Sequence, residues 1–244
     1  MKQSLFEIVE NTALTRDVYK MVLVGDTSAI TSSGQFVNIQ LDGLYLRRPI
    51  SVCDCEGDRL TLLYKVVGKG TEQMSKMREG KLDVLTGLGN GYDLSKSGDK
   101  PLLIGGGVGV PPLYMLCKKL VAEGKEVSVI LGFNTKDEIF YEEEFKALGV
   151  KVFVTTVDGS YGIKGFVTEA MKETNYTYFY TCGPEPMLKA IYSASKTSGQ
   201  FSFEERMGCG FGACMGCSCK TVTGFKRICK EGPVLEKEEI LWER

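Results

Sequence analysis

Five of the nine cysteines in this 244-residue chain lie between positions 209 and 229. Cys209, Cys214 and Cys217 have the spacing C-x4-C-x2-C, and Cys229 follows after eleven intervening residues. This is the plant-type spacing with which four thiolates hold a [2Fe–2S] cluster. Three glycines in the same loop permit the unusual backbone angles that aim several sulfurs inward. The spacing therefore predicts that these four cysteines are the ligands of such a cluster.

Other uses of these cysteines stay open. Zinc accepts four thiolates, but its structural sites favour two short cysteine pairs, whereas here three cysteines crowd one loop. Disulfides are disfavoured because nine is an odd number and the Met-Lys-Gln-Ser start is not an apolar signal segment. A reducing cytoplasm is therefore the expected compartment. Cys219 could replace Cys217 or Cys229 in a distorted site, and we treat it as a spare thiol.

The composition excludes several classes of function. The 30 Lys and Arg residues nearly balance the 31 Asp and Glu residues. The sequence therefore lacks the excess of positive charge that is typical of proteins that bind nucleic acid or an anionic membrane surface. No apolar run has the length that spans a bilayer. The chain contains no histidine, which excludes a Rieske centre, a histidine-based triad and the usual zinc catalysis. Its chemistry must therefore come mainly from cofactors.

The first hundred residues predict a small antiparallel β-barrel. Short stretches rich in β-branched and aromatic residues alternate there with Gly, Asp, Asn or Ser. The predicted strands are residues 5–10, 19–24, 35–41, 51–56 and 59–67. A helix is predicted over residues 70–78.

The sequence Arg-Pro-Ile-Ser at positions 48–51 is a candidate flavin-binding segment within this barrel. An arginine can bind a diphosphate through two parallel hydrogen bonds, and Ser51 can hydrogen-bond the edge of an isoalloxazine ring. The helix start at Gly70 and Thr71 offers free backbone N–H groups to a phosphate. The alternative interpretation is an edge strand that carries a proline and a surface arginine.

From residue 100 onward, apolar strands alternate with helical segments. The predicted strands are residues 101–104, 126–133, 151–157 and 176–181, and the predicted helices are residues 111–121, 142–148, 166–173 and 185–195. This alternation predicts a parallel sheet with helices on both faces and ligands at the carboxyl ends of its strands. The loops at 105–110 and 182–187 are therefore the candidate binding loops. The first of them is neither a standard dinucleotide fingerprint nor a Walker loop.

Taken in order, these motifs resemble the ferredoxin–NADP reductase superfamily. The chain is most similar to the electron-transfer subunits of two-subunit, NAD-dependent dihydroorotate dehydrogenases, and the resemblance runs from end to end. It implies an FAD-binding barrel domain at 1–98, an NAD-binding α/β domain at 99–200 and a [2Fe–2S] domain at 201–244. The implied partner is an FMN-containing catalytic subunit, in a heterotetramer of two plus two, which oxidises dihydroorotate to orotate in pyrimidine synthesis.

The resemblance also implies a role for individual residues. Those that would hold FAD are Arg48, Pro49, Ile50, Ser51, Leu63, Tyr64, Lys65, Gly70 and Thr71. Those that would receive NAD are Gly105, Gly106, Gly107, Gly109, Pro111, Gly183 and Pro184. Cys182 would face the flavin and the nicotinamide as a catalytic residue, although a buried cysteine is often only a small hydrophobe. The spacer between Cys217 and Cys229 is shorter than in some relatives.

Several alternatives share this layout. They are the electron-transfer subunit of a sulfide dehydrogenase, a hydrogenase or a bifurcating transhydrogenase, and an oxygenase reductase. A non-catalytic zinc-thiolate scaffold is the alternative from another class. NAD is favoured over NADP because residues 132–137 offer Asp137 and no arginine for a 2′-phosphate, although Lys136 in the same stretch leaves NADP open. An exposed apolar face is expected on the last domain, and residues 232–235 and 240–242 are its candidates, unless they pack onto the barrel.

Overall fold

The computed structural model describes residues 1–242, and its first unit is a closed antiparallel barrel. The six strands are β1 (Lys2–Ala13), β2 (Val18–Val24), β3 (Phe36–Ile39), β4 (Arg48–Glu56), β5 (Arg59–Lys65) and β6 (Lys81–Leu88). Their order is β1-β2-β5-β4-β3-β6, and β6 pairs back onto β1. Side chains alternate along each strand. In β3, Val37 and Ile39 pack in the barrel core, whereas Phe36 packs outside it.

The barrel predicted from the sequence is confirmed, but β6 is absent from the predicted strands. Leu82 and Val84 pack inside the barrel, whereas Leu85 and Leu88 pack on its outside. Apolar residues therefore occupy both faces of β6, and the simple alternation that identifies a half-buried strand is lost.

The rest of the chain forms a seven-stranded sheet flanked by helices and a separate two-stranded hairpin. The remaining strands are β7 (Pro101–Gly106), β8 (Ser128–Phe133), β9 (Lys151–Thr156), β10 (Ile163–Lys164), β11 (Tyr178–Cys182), β12 (Gly199–Ser202), β13 (Ser218–Thr221), β14 (Gly224–Arg227) and β15 (Val234–Glu236). The α-helices are α1 (Lys69–Lys76), α2 (Pro112–Ala122), α3 (Glu142–Ala147), α4 (Val167–Lys172) and α5 (Glu185–Ala194). In the part of the chain that is described, no helix has the length and apolar character that a membrane crossing requires.

Seven strands form this sheet in the order β10-β9-β8-β7-β11-β12-β15. Neighbours from β10 to β12 are parallel, and β15 is antiparallel to β12. Helices α2 and α3 cover one face, and α4 and α5 cover the other. The predicted parallel α/β unit is confirmed. Strands β10, β12 and β15 were not predicted, since runs of two to four residues carry too little periodicity.

Helix α2 joins the sheet to the barrel. Its apolar face packs in one core with Cys53 and Leu63 of the barrel. At the edge of this interface, the Lys118 ammonium group lies 2.8 Å from the Asp54 carboxylate of β4. The barrel and the sheet are therefore held in one arrangement by a shared core.

Residues 203–233, between β12 and β15, form what we call the cluster segment. It contains the cysteine loop and the β13-β14 hairpin. Cys217, Ile228 and Cys229 pack in the same apolar core as Phe36 and Leu85 on the outer barrel wall. The domain boundaries at 98/99 and 200/201 stay predictions. The strand β15 lies beyond the cluster segment and yet belongs to the seven-stranded sheet.

The hypothesis that residues 232–235 and 240–242 form an exposed apolar face is wrong for most of these residues. Leu235 and Ile240 are buried in the core beneath the sheet, and Trp242 packs against Tyr192 and Phe203. They pack largely onto the seven-stranded sheet, although Pro233 reaches the barrel at Gly89. The exposed apolar side chains of the cluster segment are instead Phe211, Met215, Val222 and Phe225.

Candidate cofactor and cluster sites

A cavity of about 350 Å³ opens beside strands β4 and β5. It brings together most of the residues predicted to hold FAD, which are Arg48, Pro49, Ile50, Ser51, Leu63, Tyr64, Lys65 and Thr71. They converge because β4 and β5 are antiparallel neighbours and α1 follows β5 directly. The cluster segment closes the far side with Met207 and Pro233. Sequence reasoning had not assigned the cluster segment to this wall.

Gly70 does not line this cavity, but it lets Arg48 do so. A Cβ atom at Gly70 would lie 2.1 Å from Nε of Arg48, so a larger residue there would displace the guanidinium group from its position across the start of α1. There the Thr71 hydroxyl accepts a hydrogen bond from the Val67 N–H at 3.0 Å. A cation beside a helix start suits a diphosphate, and the apolar wall suits a flavin ring. These residues fit FAD.

A second cavity, of about 580 Å³, lies at the carboxyl ends of the parallel strands. Its wall includes five of the residues predicted to receive NAD, which are Gly106, Gly107, Gly109, Gly183 and Pro184. Gly105 and Pro111 lie behind this wall and do not line the cavity. Its position is the one at which parallel α/β sheets bind ligands, and its volume is in the range of small-molecule sites.

The two candidate binding loops contact each other closely at glycine residues. A Cβ atom at Gly109 would lie 2.2 Å from the carbonyl oxygen of Cys182. One at Gly106 would lie 2.4 Å from Sδ of Met187. The glycine-rich sequence is thus explained by close contact between the loops after β7 and β11, as well as by access for a nucleotide.

Cys182 ends β11, one residue before the cavity wall. Its side chain is 1% exposed and does not line either cavity. Burial raises the pKa of the Cys182 thiol well above its ordinary value, so this side chain is neutral at physiological pH. A direct role in hydride transfer stays a prediction, and any such role belongs to a thiol rather than a thiolate.

The two cavities share a wall made by Lys65, Val108 and Glu204. Glu204 follows β12 and was not predicted as a site residue. Its side chain is exposed, and neighbouring protein atoms desolvate its carboxyl group enough to raise its pKa above the ordinary value. The signal in the sequence was weak, since it is only a carboxylate placed just after a strand too short to recognise.

The cysteine loop folds its thiols into two pairs. Sγ of Cys209 accepts hydrogen bonds from the N–H groups of Ala213 at 3.2 Å and Cys214 at 3.4 Å. The Cys229 N–H donates to Sγ of Cys217 at 3.4 Å. Burial opposes ionisation of Cys209, but backbone N–H groups, including that of Cys214, lower the pKa of its thiol to about 6. Such a thiol suits a metal-bound thiolate.

The fourth ligand position is better matched by Cys229 than by Cys219. Cys229 is buried against Cys217, and its thiol also interacts with that of Cys209. Cys219 lies on β13 opposite Lys226. Across residues 1–242, no three Cys, Asp or Glu side chains converge on a position for a single metal ion. The donor set of four thiols in two pairs fits a [2Fe–2S] cluster.

Comparison with known proteins identifies the family of this chain. Residues 204–241 match the iron-sulfur cluster binding domain of dihydroorotate dehydrogenase B, and residues 103–193 match the oxidoreductase NAD-binding domain. The dihydroorotate dehydrogenase B (NAD(+)) electron transfer subunit of Bacillus pumilus is 42% identical over 98% of both chains. That of Fusobacterium nucleatum is 46% identical over 93% of this chain and 94% of its own. The chain belongs to this family of electron transfer subunits.

A solved structure resembles this electron transfer subunit over nearly its whole length. It is described as the NADH-dependent reduced ferredoxin-NADP oxidoreductase, studied for flavin-based electron bifurcation. It superposes with a TM-score of 0.89 at 31% identity, over 98% of this chain and 90% of its own. The architecture of barrel, seven-stranded sheet and cluster segment is therefore shared beyond dihydroorotate dehydrogenase B.

In this electron transfer subunit, the cavity at the carboxyl ends of the parallel strands, which we call the nucleotide cavity, is lined by Glu138 rather than by the expected Asp137. Oε2 of Glu138 accepts hydrogen bonds from the backbone N–H of Asn134 at 3.3 Å and from its side-chain amide at 3.0 Å. A carboxylate fixed at the end of β8 can bind a ribose hydroxyl and repel a 2′-phosphate. Sequence reasoning pointed to this loop but to Asp137, which does not line the cavity.

We expect Glu138→Gln to reduce discrimination between NADH and NADPH by about tenfold, because the substitution removes the charge and keeps the size. The measurement is kcat/KM for each nucleotide with ferricyanide as acceptor. Asp137→Asn is the matched control. An unchanged ratio in Glu138→Gln, or an equal change in both variants, would remove Glu138 from nucleotide selection.

Proposed function

We propose that this subunit relays electrons between an FMN-containing catalytic subunit, which oxidises dihydroorotate to orotate, and NAD+. The relay uses a [2Fe–2S] cluster and FAD and serves pyrimidine (UMP) synthesis. One observation carries the proposal. The cavity beside β4 and β5, which we call the flavin cavity, lies between the nucleotide cavity and the cysteine loop. That cavity shares Lys65, Val108 and Glu204 with the nucleotide cavity. On its other side, Phe36 lines it and packs in the same core as Cys217.

The chain's own residues would orient the groups of the relay. When bound, the flavin exchanges a hydride with the nicotinamide and single electrons with the cluster. Arg48 and the start of α1 would hold the diphosphate, and Val108 with Lys65 would separate the two cavities without closing either. No histidine is present to move protons, and hydride transfer does not require one.

The exposed apolar residues of the cluster segment would contact the catalytic subunit. Phe211 and Met215, which are 44% and 55% exposed, flank Cys214 in the cysteine loop. Electron transfer requires the cluster and the redox group of the catalytic subunit to be close, so a contact at this loop would serve both docking and transfer. We infer a heterotetramer of two plus two in the cytoplasm, and the nine free cysteines fit a reducing compartment.

Replacing both Phe211 and Met215 by serine should weaken binding of the catalytic subunit about tenfold to a hundredfold, since large apolar side chains dominate interface energies. The measurement is the dissociation constant of the two subunits under anaerobic conditions. Iron content and FAD content report whether the loop still folds. Leu5→Ser, at an exposed apolar residue of β1, is the control. Equal affinity in both variants would place the interface elsewhere.

The proposed function is tested by expressing this chain with its native neighbouring subunits and purifying it anaerobically. A brown-yellow complex that contains an FMN protein and reduces NAD+ with dihydroorotate is the expected result. A brown-yellow chain with another partner would keep the electron path and overturn the pathway. Reduction of ferredoxin would favour the second candidate, a bifurcating complex, which the 31% identity to the ferredoxin-NADP oxidoreductase supports. A colourless chain would contradict both.

A further inference from the structure

The polar residue Asn38 lies in the otherwise apolar strand β3. Its side chain is 1% exposed and sits on the outer wall of the barrel, beneath the cluster segment. Among residues 1–242, Oδ1 of Asn38 is buried without a hydrogen-bond partner. A half-satisfied amide is costly to bury, and an apolar side chain would avoid this cost. The barrel itself therefore gains nothing from an amide at this position.

The amide serves the cysteine loop instead. Nδ2 of Asn38 donates a hydrogen bond to the carbonyl oxygen of Cys209, the first cysteine of the loop, at 3.1 Å. The next residue, Gly210, has a positive φ of 77°, and a Cβ atom there would lie 2.4 Å from Nδ2 of Asn38. The barrel wall and the loop backbone are thus in direct contact, with no room for a side chain between them.

This hydrogen bond fixes one peptide plane. In a trans peptide the C=O and the following N–H point in opposite directions. Because the Cys209 carbonyl is held toward the barrel, the Gly210 N–H must point away from it. Backbone N–H groups tune an iron–sulfur cluster by bonding its sulfurs, so the orientation of the loop amides affects the reduction potential.

Asn38 is itself held rigidly beside the flavin cavity. In the barrel it pairs with Pro49, which lines that cavity. Its backbone carbonyl oxygen accepts a hydrogen bond from Nη1 of Arg47 at 3.2 Å, and the same guanidinium group lies 2.8 Å from the carboxylate of Asp83. A single residue thereby connects the strand pair of the flavin site to the cysteine loop.

We propose that Asn38 is a positioning residue that sets the orientation of the first ligand loop against the flavin barrel and so tunes the cluster. The proposal rests on the function proposed above, because it assumes that the loop holds a [2Fe–2S] cluster. It assigns to the barrel a part in cluster chemistry that no cysteine motif reveals.

The test compares Asn38→Leu and Asn38→Asp with the wild-type chain. Asn38→Leu removes the donor and keeps the number and branching of the side-chain heavy atoms, and Asn38→Asp places a carboxylate oxygen against the Cys209 carbonyl. We expect both variants to retain FAD, to lose iron to a chelator about tenfold faster and to have a lower cluster midpoint potential, with the larger change in Asn38→Asp. The midpoint is read by a redox titration followed by electron paramagnetic resonance.

Gln35→Leu is the matched control, because Gln35 is another buried amide beside β3. Its hydrogen bonds go to Thr31, Ser32 and Gly89, all outside the cluster segment. A merely structural role for Asn38 would change thermal stability and leave the potential unchanged, as in Gln35→Leu, and this result would overturn the proposal. A wild-type chain that binds no iron would instead contradict the proposed function.

Discussion

Replacing Cys229 by serine should remove the [2Fe–2S] cluster, with iron and acid-labile sulfide falling below about a tenth of the wild-type content per FAD. The reason is that Cys229 is buried against Cys217 and would supply the fourth thiol of the proposed ligand set. A hydroxyl is a much poorer ligand for iron than a thiolate. The measurements are the iron and sulfide content, the visible spectrum and the rate of ferricyanide reduction by NADH.

Cys219→Ser is the matched control, and it should keep the full cluster. FAD content and ferricyanide reduction should remain near the wild-type values in both variants, because the flavin and nucleotide cavities do not include either cysteine. Loss of iron in Cys219→Ser with retention in Cys229→Ser would assign the fourth ligand to Cys219. Full retention in both would contradict the ligand set.

Gly109→Ala should weaken NADH binding by about a hundredfold. The added Cβ atom would lie 2.2 Å from the carbonyl oxygen of Cys182 and 2.6 Å from Cα of Gly183. Both contacts are with backbone, so the loops after β7 and β11 must move apart, and a displacement of about 1 Å can cost that factor. Overpacking should also lower the free energy of unfolding by about 1–3 kcal/mol. The measurements are NADH titration and thermal unfolding.

Gly124→Ala provides a control for general destabilisation. Gly124 follows α2 with a φ of 76°, and its added Cβ atom would have no neighbour within 4 Å. It should lower stability by about 1 kcal/mol through backbone strain alone and leave NADH affinity unchanged. Equal loss of affinity in the two variants would mean that the effect at Gly109 is not specific to the nucleotide loops.

The candidate residues that the sequence could name on its own are those whose spacing is imposed by chemistry. Four cysteines must follow one another at fixed intervals to surround a cluster, so Cys209 and Cys229 could be found without a structure. The strands of the barrel and sheet were likewise identified by local periodicity. Which residues hold each cofactor remains to be tested by variants such as those above.

The residues that the sequence missed act through contacts between distant parts of the chain. Asn38 and Cys209 are 171 positions apart, and no local pattern connects them. Glu204 gains its place in both cavities only because the unpredicted strand β12 joins the sheet. Docking residues were also misassigned, since apolar residues such as Leu235 are equally suited to an interface and to a core.

The antiparallel pairing of β15 with β12 has a consequence for the order of synthesis. Until Val234–Glu236 has left the ribosome, β12 is an open edge that presents unpaired backbone groups. The entire cluster segment must be made before that edge is covered. A nascent chain interrupted within the segment would therefore carry an unpaired edge strand that can pair with other chains. Only a chain that extends through β15 would cover this edge.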